Sequence, residues 1–406
     1  MTELHAEAER REEACPLSAF PSRFHLPRPP GIYLDGNSLG PLPRHTPARL
    51  QAALEQEWGE GLIGSWEHAG WMEAPTRIGD RLAPLLGAPP GTVIACDSVS
   101  VNLFRLLIAG LRLAGPGRCT VLMEERDFPT DRHIAEAACR LAGAELRAVP
   151  RSEVLSALDR NVAVLLLSHV HYRTGAAWNI AEVGAAARAA GAGTLLDLSH
   201  SAGALEIGLE RHGIDLATGC GYKFLCGGPG APAFAFVAPR HLASLDQPLS
   251  GWMGHAAPFA FEPDYRPDPG IRRLLAGTPP ILAMVALEVG ITTVAEAPVA
   301  AIAERARSLT GLLFEAIEAQ DDEELRIITP RDPAQRGAQL SIAHPRAHEL
   351  FEALLARGVV GDFRTAPGVP DLLRLGVSPL TLAHAQMVDA ARAVGEVLAA
   401  LHRTAA

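Results

Sequence analysis

The chain has 406 residues, of which 48% are hydrophobic and 20% are charged, and it carries a formal net charge of -10 at pH 7. So large an apolar share excludes a disordered or fibrous chain, and no apolar run reaches the roughly 18 residues that suggest a membrane-spanning helix. The negative charge, with no basic stripe to offset it, argues against a nucleic-acid partner.

Residues 1–30 predict an N-terminal arm that precedes the main fold. They are charged at first and then proline-rich, which indicates a short helix followed by a loop. The stretch is acidic and lacks the apolar segment of a secretory signal, so we expect a cytoplasmic protein. The six cysteines form no C-x-x-C pair, which fits reduced thiols in that compartment.

Residues 31–280 predict a large α/β domain. Short, continuously apolar runs alternate here with alanine-rich helical stretches, and this pattern is typical of a parallel sheet that is covered by helices on both faces. Sheets of this kind bind ligands at the carboxyl ends of their strands. The predicted strands are residues 92–96, 119–123, 162–167, 193–198 and 232–237.

Residues 281–406 predict an interdomain helix and a smaller C-terminal α+β domain. A proline- and glycine-rich stretch at 262–280 separates the two parts of the chain, and one long helical stretch is expected at about 281–320. The remaining predicted elements are strands at 339–344, 359–364 and 372–377 and helices at 345–358 and 381–402.

Lys223 stands out by count, because it is the only lysine among the 36 basic residues. A lysine amine can form an imine with a carbonyl group, whereas a guanidinium group cannot. Asp197 ends a predicted strand, which places its carboxylate at the ligand-binding edge of the sheet. Taken alone, the single lysine could equally well have remained by chance. Taken alone, Asp197 could equally well be the N-cap of a helix. Together they favour pyridoxal phosphate, which needs a lysine to carry it and a carboxylate for its pyridinium nitrogen.

Other segments could complete this site or compete with it. Ser98 and Ser100 precede a predicted helix and could cradle a phosphate, although serine is also an ordinary N-cap. The segment from Phe128 to Asp131 opens another helix and offers a ring that could stack on a cofactor. The motif GNSLG at 36–40 fits the nucleophile motif of α/β-hydrolases, but the prolines that follow it disfavour the helix that this motif requires. No histidine spacing indicates a metal site.

A series of motifs runs from about residue 31 toward the C-terminus: YLDGNSLGPLP, DSVSVNLFRLL, RDFPTDRH, LSHVHYRTG, DLSHSAGA, GYKFLCGGPGAP, GWMGH, GTPPI and GDFR followed by LLRLGVSPL. In order and spacing, these motifs resemble kynureninase. The resemblance implies a fold-type I pyridoxal phosphate enzyme of the class V aminotransferase type, with a mostly parallel, seven-stranded-type sheet in the large domain. It implies a homodimer with shared active sites that hydrolyses L-kynurenine, or 3-hydroxy-L-kynurenine, to the corresponding anthranilate and L-alanine in tryptophan catabolism.

The same resemblance implies roles for individual residues. Lys223 would carry the cofactor, Asp197 would pair with its pyridine nitrogen, and Tyr222 would relay protons. Arg374 would bind the substrate carboxylate through paired hydrogen bonds, and Ser38 and Trp66 would line the substrate pocket. The other cofactor-binding residues would be Val99, Ser100, Phe128, Pro129, Thr130, Asp131, Ser168 and His200, together with Trp252 and Thr278 from the neighbouring subunit.

Two alternatives to kynurenine hydrolysis stay open. A cysteine desulfurase or an aminotransferase of the same fold would keep the cofactor and change the reaction, but a desulfurase needs a mobile, exposed cysteine. A non-catalytic cofactor-binding paralogue would be favoured by the loss of Lys223, Asp197 or Arg374, and all three are present. Thr278 and Met253 stand where some kynureninases have asparagine and phenylalanine, which leaves the choice between the two kynurenines open.

Overall fold

A computed structural model describes residues 2–28, 31–320 and 322–405 of the chain. Short 3-10 turns and one π-helical segment, Ala53–Glu60, lie between the regular elements. The helices are α1 Thr2–Glu13, α2 Thr46–Ala52, α3 Ser65–His68, α4 Ala74–Leu86, α5 Val99–Leu113, α6 Pro129–Ala142, α7 Ile180–Ala190, α8 Pro239–Leu242, α9 Ile281–Ala295, α10 Val299–Glu318, α11 Ala347–Ala356 and α12 His384–Ala405. The strands are β1 Phe24–His25, β2 Ile32–Tyr33, β3 Leu42–Pro43, β4 Val93–Ala95, β5 Thr120–Glu124, β6 Glu145–Val149, β7 Val162–Ser168, β8 Gly193–Asp197, β9 Leu216–Gly219, β10 Phe234–Val237, β11 Arg326–Ile327, β12 Gln339–Ala343, β13 Val359–Val360, β14 Asp362–Ala366 and β15 Val369–Gly376.

Seven strands form the main sheet, in the order β4-β10-β9-β8-β7-β5-β6. Neighbouring strands from β9 to β6 are parallel, whereas β10 is antiparallel to both of its neighbours. The mostly parallel α/β fold expected from the sequence is therefore confirmed. The one reversed strand follows a 14-residue connection that contains no helix, whereas parallel neighbours are usually joined through a helix.

Both faces of this sheet are covered, which explains the apolar runs in the sequence. In β7, Val164 and Leu166 pack into one core cluster with residues of α5 and α6. The alternate residues Leu165 and Leu167 pack into a second cluster on the opposite face, with residues of α4, α7 and α9. Because successive side chains of a strand point to opposite faces, a strand buried on both sides has no polar alternation.

The C-terminal part contains a four-stranded antiparallel sheet in the order β11-β12-β15-β14. Helices α10, α11 and α12 pack on it and share its core. The single helical stretch expected at 281–320 is wrong, because α9 and α10 are separate helices that meet at an angle of 82°. Pro298 precedes α10 directly and cannot continue a helix that would come from α9.

The N-terminal residues pack on this C-terminal part. Ala8 of α1 and Ile32 of β2 belong to its core, and β2 pairs with β13. The carboxylate of Glu12 accepts hydrogen bonds from Arg305 at 2.7 Å and from the backbone of His384 at 2.9 Å. The domain limits at residues 30 and 280 remain a prediction, and these contacts tie the predicted arm to the small unit.

In the described parts of the chain, no single helix is long and apolar enough to cross a membrane. Taken together, the bent pair of α9 and α10 reaches that length and apolar composition, and large parts of both helices are buried in the protein core.

Candidate active site

A cleft of about 350 Å³ lies at the carboxyl ends of the parallel strands. Ser168 ends β7 and Asp197 ends β8, and the sheet register places these two residues opposite each other. The cleft gathers ten of the predicted site residues, which are Val99, Ser100, Phe128, Thr130, Asp131, Ser168, Asp197, His200, Tyr222 and Lys223.

Lys223 projects into the cleft from the turn that follows β9. Its Nζ lies 2.9 Å from Nε2 of His200. Burial and the nearby positive charge of Lys223 lower the pKa of His200 well below its ordinary value, so this imidazole is neutral. A neutral His200 with its proton on Nδ1 accepts a hydrogen bond from the lysine amine at Nε2.

Two buried carboxyl groups face Lys223 across the cleft. Burial, together with the charges of Asp197 and Asp127, raises the pKa of Asp131 well above its ordinary value. Burial also raises the pKa of Asp197, but hydrogen bonds from Ser199 and the positive charge of Lys223 oppose this effect. The backbone N–H and hydroxyl of Ser199 donate to Oδ1 of Asp197 at 2.7 and 2.5 Å. We assign the proton of this pair to Asp131 and the negative charge to Asp197.

The N-terminus of α5 forms the opposite wall of the cleft. Ser98 caps this 15-residue helix, its hydroxyl accepting a hydrogen bond from the N–H of Val101 at 3.3 Å. Val99 and Ser100 follow in the first turn, where free backbone N–H groups and the helix dipole favour an anion. Asp97 precedes the cap with a φ of 47°, and the buried Arg105 binds its carboxylate. The helix N-terminus expected from the sequence is present here, and its role in binding a phosphate remains a prediction.

These groups fit pyridoxal phosphate, the cofactor that the residues predict. The α5 N-terminus suits the phosphate, Lys223 suits the carbonyl carbon, and the ionised Asp197 suits a protonated pyridine nitrogen. Phe128 lines the cleft and is 41% exposed, so it is accessible to another ring. Asp131 Oδ1 is buried without a hydrogen-bond partner among the described residues, which leaves a polar atom for a ligand.

Arg374 does not line the cleft itself, but one contact joins it to the wall. Its Nη1 donates to the carbonyl of Tyr172 at 2.6 Å, and Tyr172 lines the cleft. Ser38 lies on the other side of the guanidinium group, with Oγ 3.3 Å from Nη2. The structure therefore brings Arg374, which was expected to bind the substrate carboxylate, next to Ser38, which was expected to line the substrate pocket.

Four other predicted residues lie outside the cleft. Pro129 adjoins it at the start of α6. Trp66 stacks edge-to-face on Trp71 at 5.8 Å, and Trp252 on Phe259 at 5.9 Å. Thr278 is exposed in the loop before α9. Within one chain, none of these four side chains lines the cleft.

Sequence reasoning missed several residues of the cleft wall. Tyr172 lies within the quoted motif LSHVHYRTG, and its ring packs edge-to-face on Phe128 at 5.2 Å. Ser199 stands two residues after Asp197, a spacing at which an aspartate often bonds the following backbone N–H. Gly230, Ala231 and Ala233 follow the Lys223 turn, and only their small size in a glycine-rich segment marks them in the sequence.

Comparisons with known proteins agree with this architecture. Residues 302–394 match the kynureninase C-terminal domain family. Kynureninase of Burkholderia pseudomallei (strain 1106a) is 44% identical over 401 residues, which cover 96% of this chain and 95% of that protein. Kynureninase of Deinococcus radiodurans is 44% identical over 393 residues, covering 95% and 93%.

Among solved structures, the cysteine desulfurase CsdA of Escherichia coli superposes with a TM-score of 0.79 at 17% identity, covering 95% of this chain and 98% of that one. A mutant of the cystine C-S lyase C-DES, with glycine covalently linked to its pyridoxal phosphate, gives 0.77 at 16% identity, covering 90% and 97%. These two likenesses show the fold.

The fold and the cleft define a pyridoxal phosphate enzyme of fold type I. Within that class, the family of this chain is decided by its sequence identity to curated relatives over nearly the whole length. The chain belongs to the kynureninase family.

Proposed function

We propose that this enzyme hydrolyses the Cβ–Cγ bond of L-kynurenine, or of 3-hydroxy-L-kynurenine, to release L-alanine together with anthranilate or its 3-hydroxy form. The observation that carries the proposal is the placement of two groups of residues. One cleft combines a lysine, a buried carboxyl group that accepts hydrogen bonds from Ser199, and a helix N-terminus. A buried arginine beside Ser38 is hydrogen-bonded to the wall of this cleft through Tyr172.

The bound cofactor supplies an electron sink for bond cleavage next to the amino group of the substrate. Lys223 is the group placed to take and return a proton, with the neutral His200 at 2.9 Å as its hydrogen-bond partner. Asp197 keeps a negative charge at the floor of the cleft. Burial raises the pKa of Tyr222 above its ordinary value, so its hydroxyl remains a proton donor. Arg374 orients the substrate by its carboxylate.

The cysteines of the described chain argue against a desulfurase reaction. Cys220 and Cys226, the cysteines nearest Lys223, are 2% and 3% exposed, and burial raises the pKa of Cys226 to about 12. Cys119 is exposed but directly precedes β5, which places it at the edge of the sheet away from the cleft. A persulfide-forming thiol must be accessible at the site, whereas Cys220 and Cys226 are buried and Cys119 lies away from the cleft.

We further propose that the enzyme works as a homodimer in the cytoplasm. Large apolar side chains are exposed near the predicted site residues that lie outside the cleft. Ile63, close in sequence to Trp66, is 82% exposed, and Phe261, close in sequence to Trp252, is 80% exposed. Exposed apolar patches of this kind mark interaction surfaces, and a second copy would bring Trp252 and Thr278 to the neighbouring site. All six cysteines lie in described residues and are free, in keeping with a reducing compartment.

The reaction is tested by incubating the protein and pyridoxal phosphate with L-kynurenine, with 3-hydroxy-L-kynurenine in parallel. Anthranilate is followed by fluorescence and L-alanine by chromatography. Equimolar appearance of the two products is the expected result. Release of sulfide from cysteine, or amino transfer to a keto acid, without anthranilate would contradict the proposal.

The shared site is tested by mixing two inactive variants, Lys223→Ala and Trp252→Ala. If Trp252 serves the site of the partner, each mixed dimer contains one site with both native residues. Random exchange of subunits then restores about a quarter of the wild-type activity. No recovery, although light scattering shows mixed dimers, would place both residues in the same subunit's site.

A further inference from the structure

The environment of Arg374 contains a carboxylate that the proposed reaction does not use. Asp362 on β14 stands directly opposite Arg374 on β15 in the antiparallel register. Opposite residues of neighbouring strands project from the same face of a sheet. The carboxylate of Asp362 accepts a hydrogen bond from Nη2 of Arg374 and forms an ion pair with it.

Three groups fix the guanidinium of Arg374. The carbonyl of Tyr172 binds Nη1, while Ser38 and Asp362 bind Nη2. The side chain of Arg374 is only 2% exposed, and Asp362 is the one carboxylate within ion-pair distance of it in the described part of the chain. A guanidinium so deeply buried is costly without a counter-charge, so Asp362 keeps Arg374 at this depth beside the cleft.

A second arginine balances the charge that Asp362 introduces. Arg364, two residues along β14, lies 2.9 Å from the same carboxylate oxygen and is 41% exposed. Asp362 therefore forms ion pairs with both guanidinium groups, and the nearby carboxyl of Asp35, whose pKa burial raises to about 6, interacts with the same arginines. Nε of Arg374 is buried without a partner among the described residues, so at least one of its donors remains for a ligand.

We propose that Asp362 is a positioning residue for substrate binding, which holds the Arg374 guanidinium in the orientation that receives the substrate carboxylate. The inference rests on the proposed function, since it assigns that carboxylate to Arg374. Arg364 balances the charge of Asp362 without touching the substrate.

The test compares Asp362→Asn with Arg364→Gln as its matched control. The asparagine keeps the shape of the side chain and removes the charge, and we expect it to raise the KM for L-kynurenine at least about tenfold and to change kcat less than about threefold. Arg364→Gln removes the exposed partner of the same carboxylate and is expected to change KM less than about threefold. Equal effects of the two substitutions on KM would overturn the assignment.

A substrate analogue separates positioning from a general structural defect. The carboxamide of L-kynurenine lacks the charge that Arg374 would bind, so Asp362→Asn and the wild type are expected to cleave it with equal kcat/KM. In an Arg374→Gln background, the Asp362 substitution should add nothing further. A parallel loss of activity on kynurenine and its carboxamide would reduce Asp362 to a structural role.

Two further measurements guard against a misfolded variant and a wrong substrate. Asp362→Glu keeps the charge and moves it by one methylene, and should show the same selective effect on the carboxylate substrate if the asparagine variant fails to fold. Binding of L-alanine, followed by the absorbance of the bound cofactor, needs no turnover. If the wild type cleaves no kynurenine but Asp362→Asn still weakens alanine binding about tenfold, the proposed reaction fails and the role of Asp362 stands; unchanged alanine affinity refutes that role.

Discussion

Lys223 gives the most direct test at the scale of single residues. We expect Lys223→Ala to abolish covalent attachment of pyridoxal phosphate, seen as loss of the visible absorbance of the bound cofactor. Lys223→Arg is the matched control for charge, because it retains the cation and cannot form an imine. Neither variant should attach the cofactor covalently, and borohydride should fix the cofactor to the wild type alone.

The composition of the chain makes this result easy to interpret. Lys223 is the only lysine, so a peptide that carries the reduced cofactor on a lysine can be one peptide only. An unchanged spectrum in Lys223→Ala, or a labelled peptide that lacks residue 223, would remove the residue from the site.

Single residues also show how far the site could be predicted. Lys223 was identifiable because it is the only lysine, and Asp197 because it ends a predicted strand; the resemblance then assigned roles to the other predicted cleft residues. Asp362 carried no such signal. Its importance depends on the register of β14 against β15, which brings a surface-like GDFR segment against a buried arginine. Trp252 and Thr278 could not be tested within one chain, because their expected positions belong to a second copy.

At the scale of elements, α9 supports the turn that carries Lys223. Gly290 of α9 packs directly on this turn, since a Cβ at this position would lie 2.4 Å from the carbonyl oxygen of Leu225 and 2.6 Å from that of Cys226. Only a glycine permits so close an approach of the helix. The close packing of α9 therefore supports the turn that positions Lys223 in the cleft.

We expect Gly290→Ala to weaken cofactor binding and to lower the melting temperature, at a cost of about 1–3 kcal/mol from overpacking. Gly311→Ala in α10 is the matched control, because its Cβ would have its nearest contact at 3.4 Å, with a flexible arginine side chain. Alanine in a helix interior is ordinarily stabilising by up to about 1 kcal/mol relative to glycine. The measurement is thermal unfolding together with titration of pyridoxal phosphate, and equal behaviour of the two variants would separate Gly290 from the lysine turn.

Elements differ in how well the sequence predicts them. Apolar runs locate β5, β7 and β8 within about two residues, because both faces of these strands are buried. The direction of β10 carries no signal in its own residues, since it depends on the connection from β9, which contains no helix. The boundary between α9 and α10 has a local cause in Pro298, but continuous helical periodicity on either side of the proline hides it.

At the scale of the whole molecule, buried neutral histidines link stability to pH. His169 follows the last residue of β7, and burial together with the charge of Arg151 lowers its pKa from 6.5 to about 4. The unfolded chain takes up a proton on this residue near pH 6.5, whereas the folded protein resists until about pH 4. The contribution of His169 to the free energy of unfolding is therefore fully present above pH 6.5 and is lost as the pH falls toward 4.

We expect His169 to contribute a loss of about 2 kcal/mol of unfolding free energy between pH 7.5 and pH 5. His169→Gln removes the titrating group and should flatten the fall in stability over this interval, whatever its effect on stability at pH 7.5. The exposed His133 on α6 provides the control, since its replacement by glutamine should leave the slope unchanged. Urea unfolding of the cofactor-loaded protein at both pH values measures the difference. If the unfolding free energy of the wild type and of His169→Gln falls equally between the two pH values, His169 is protonated in the folded state or other groups dominate the acid response.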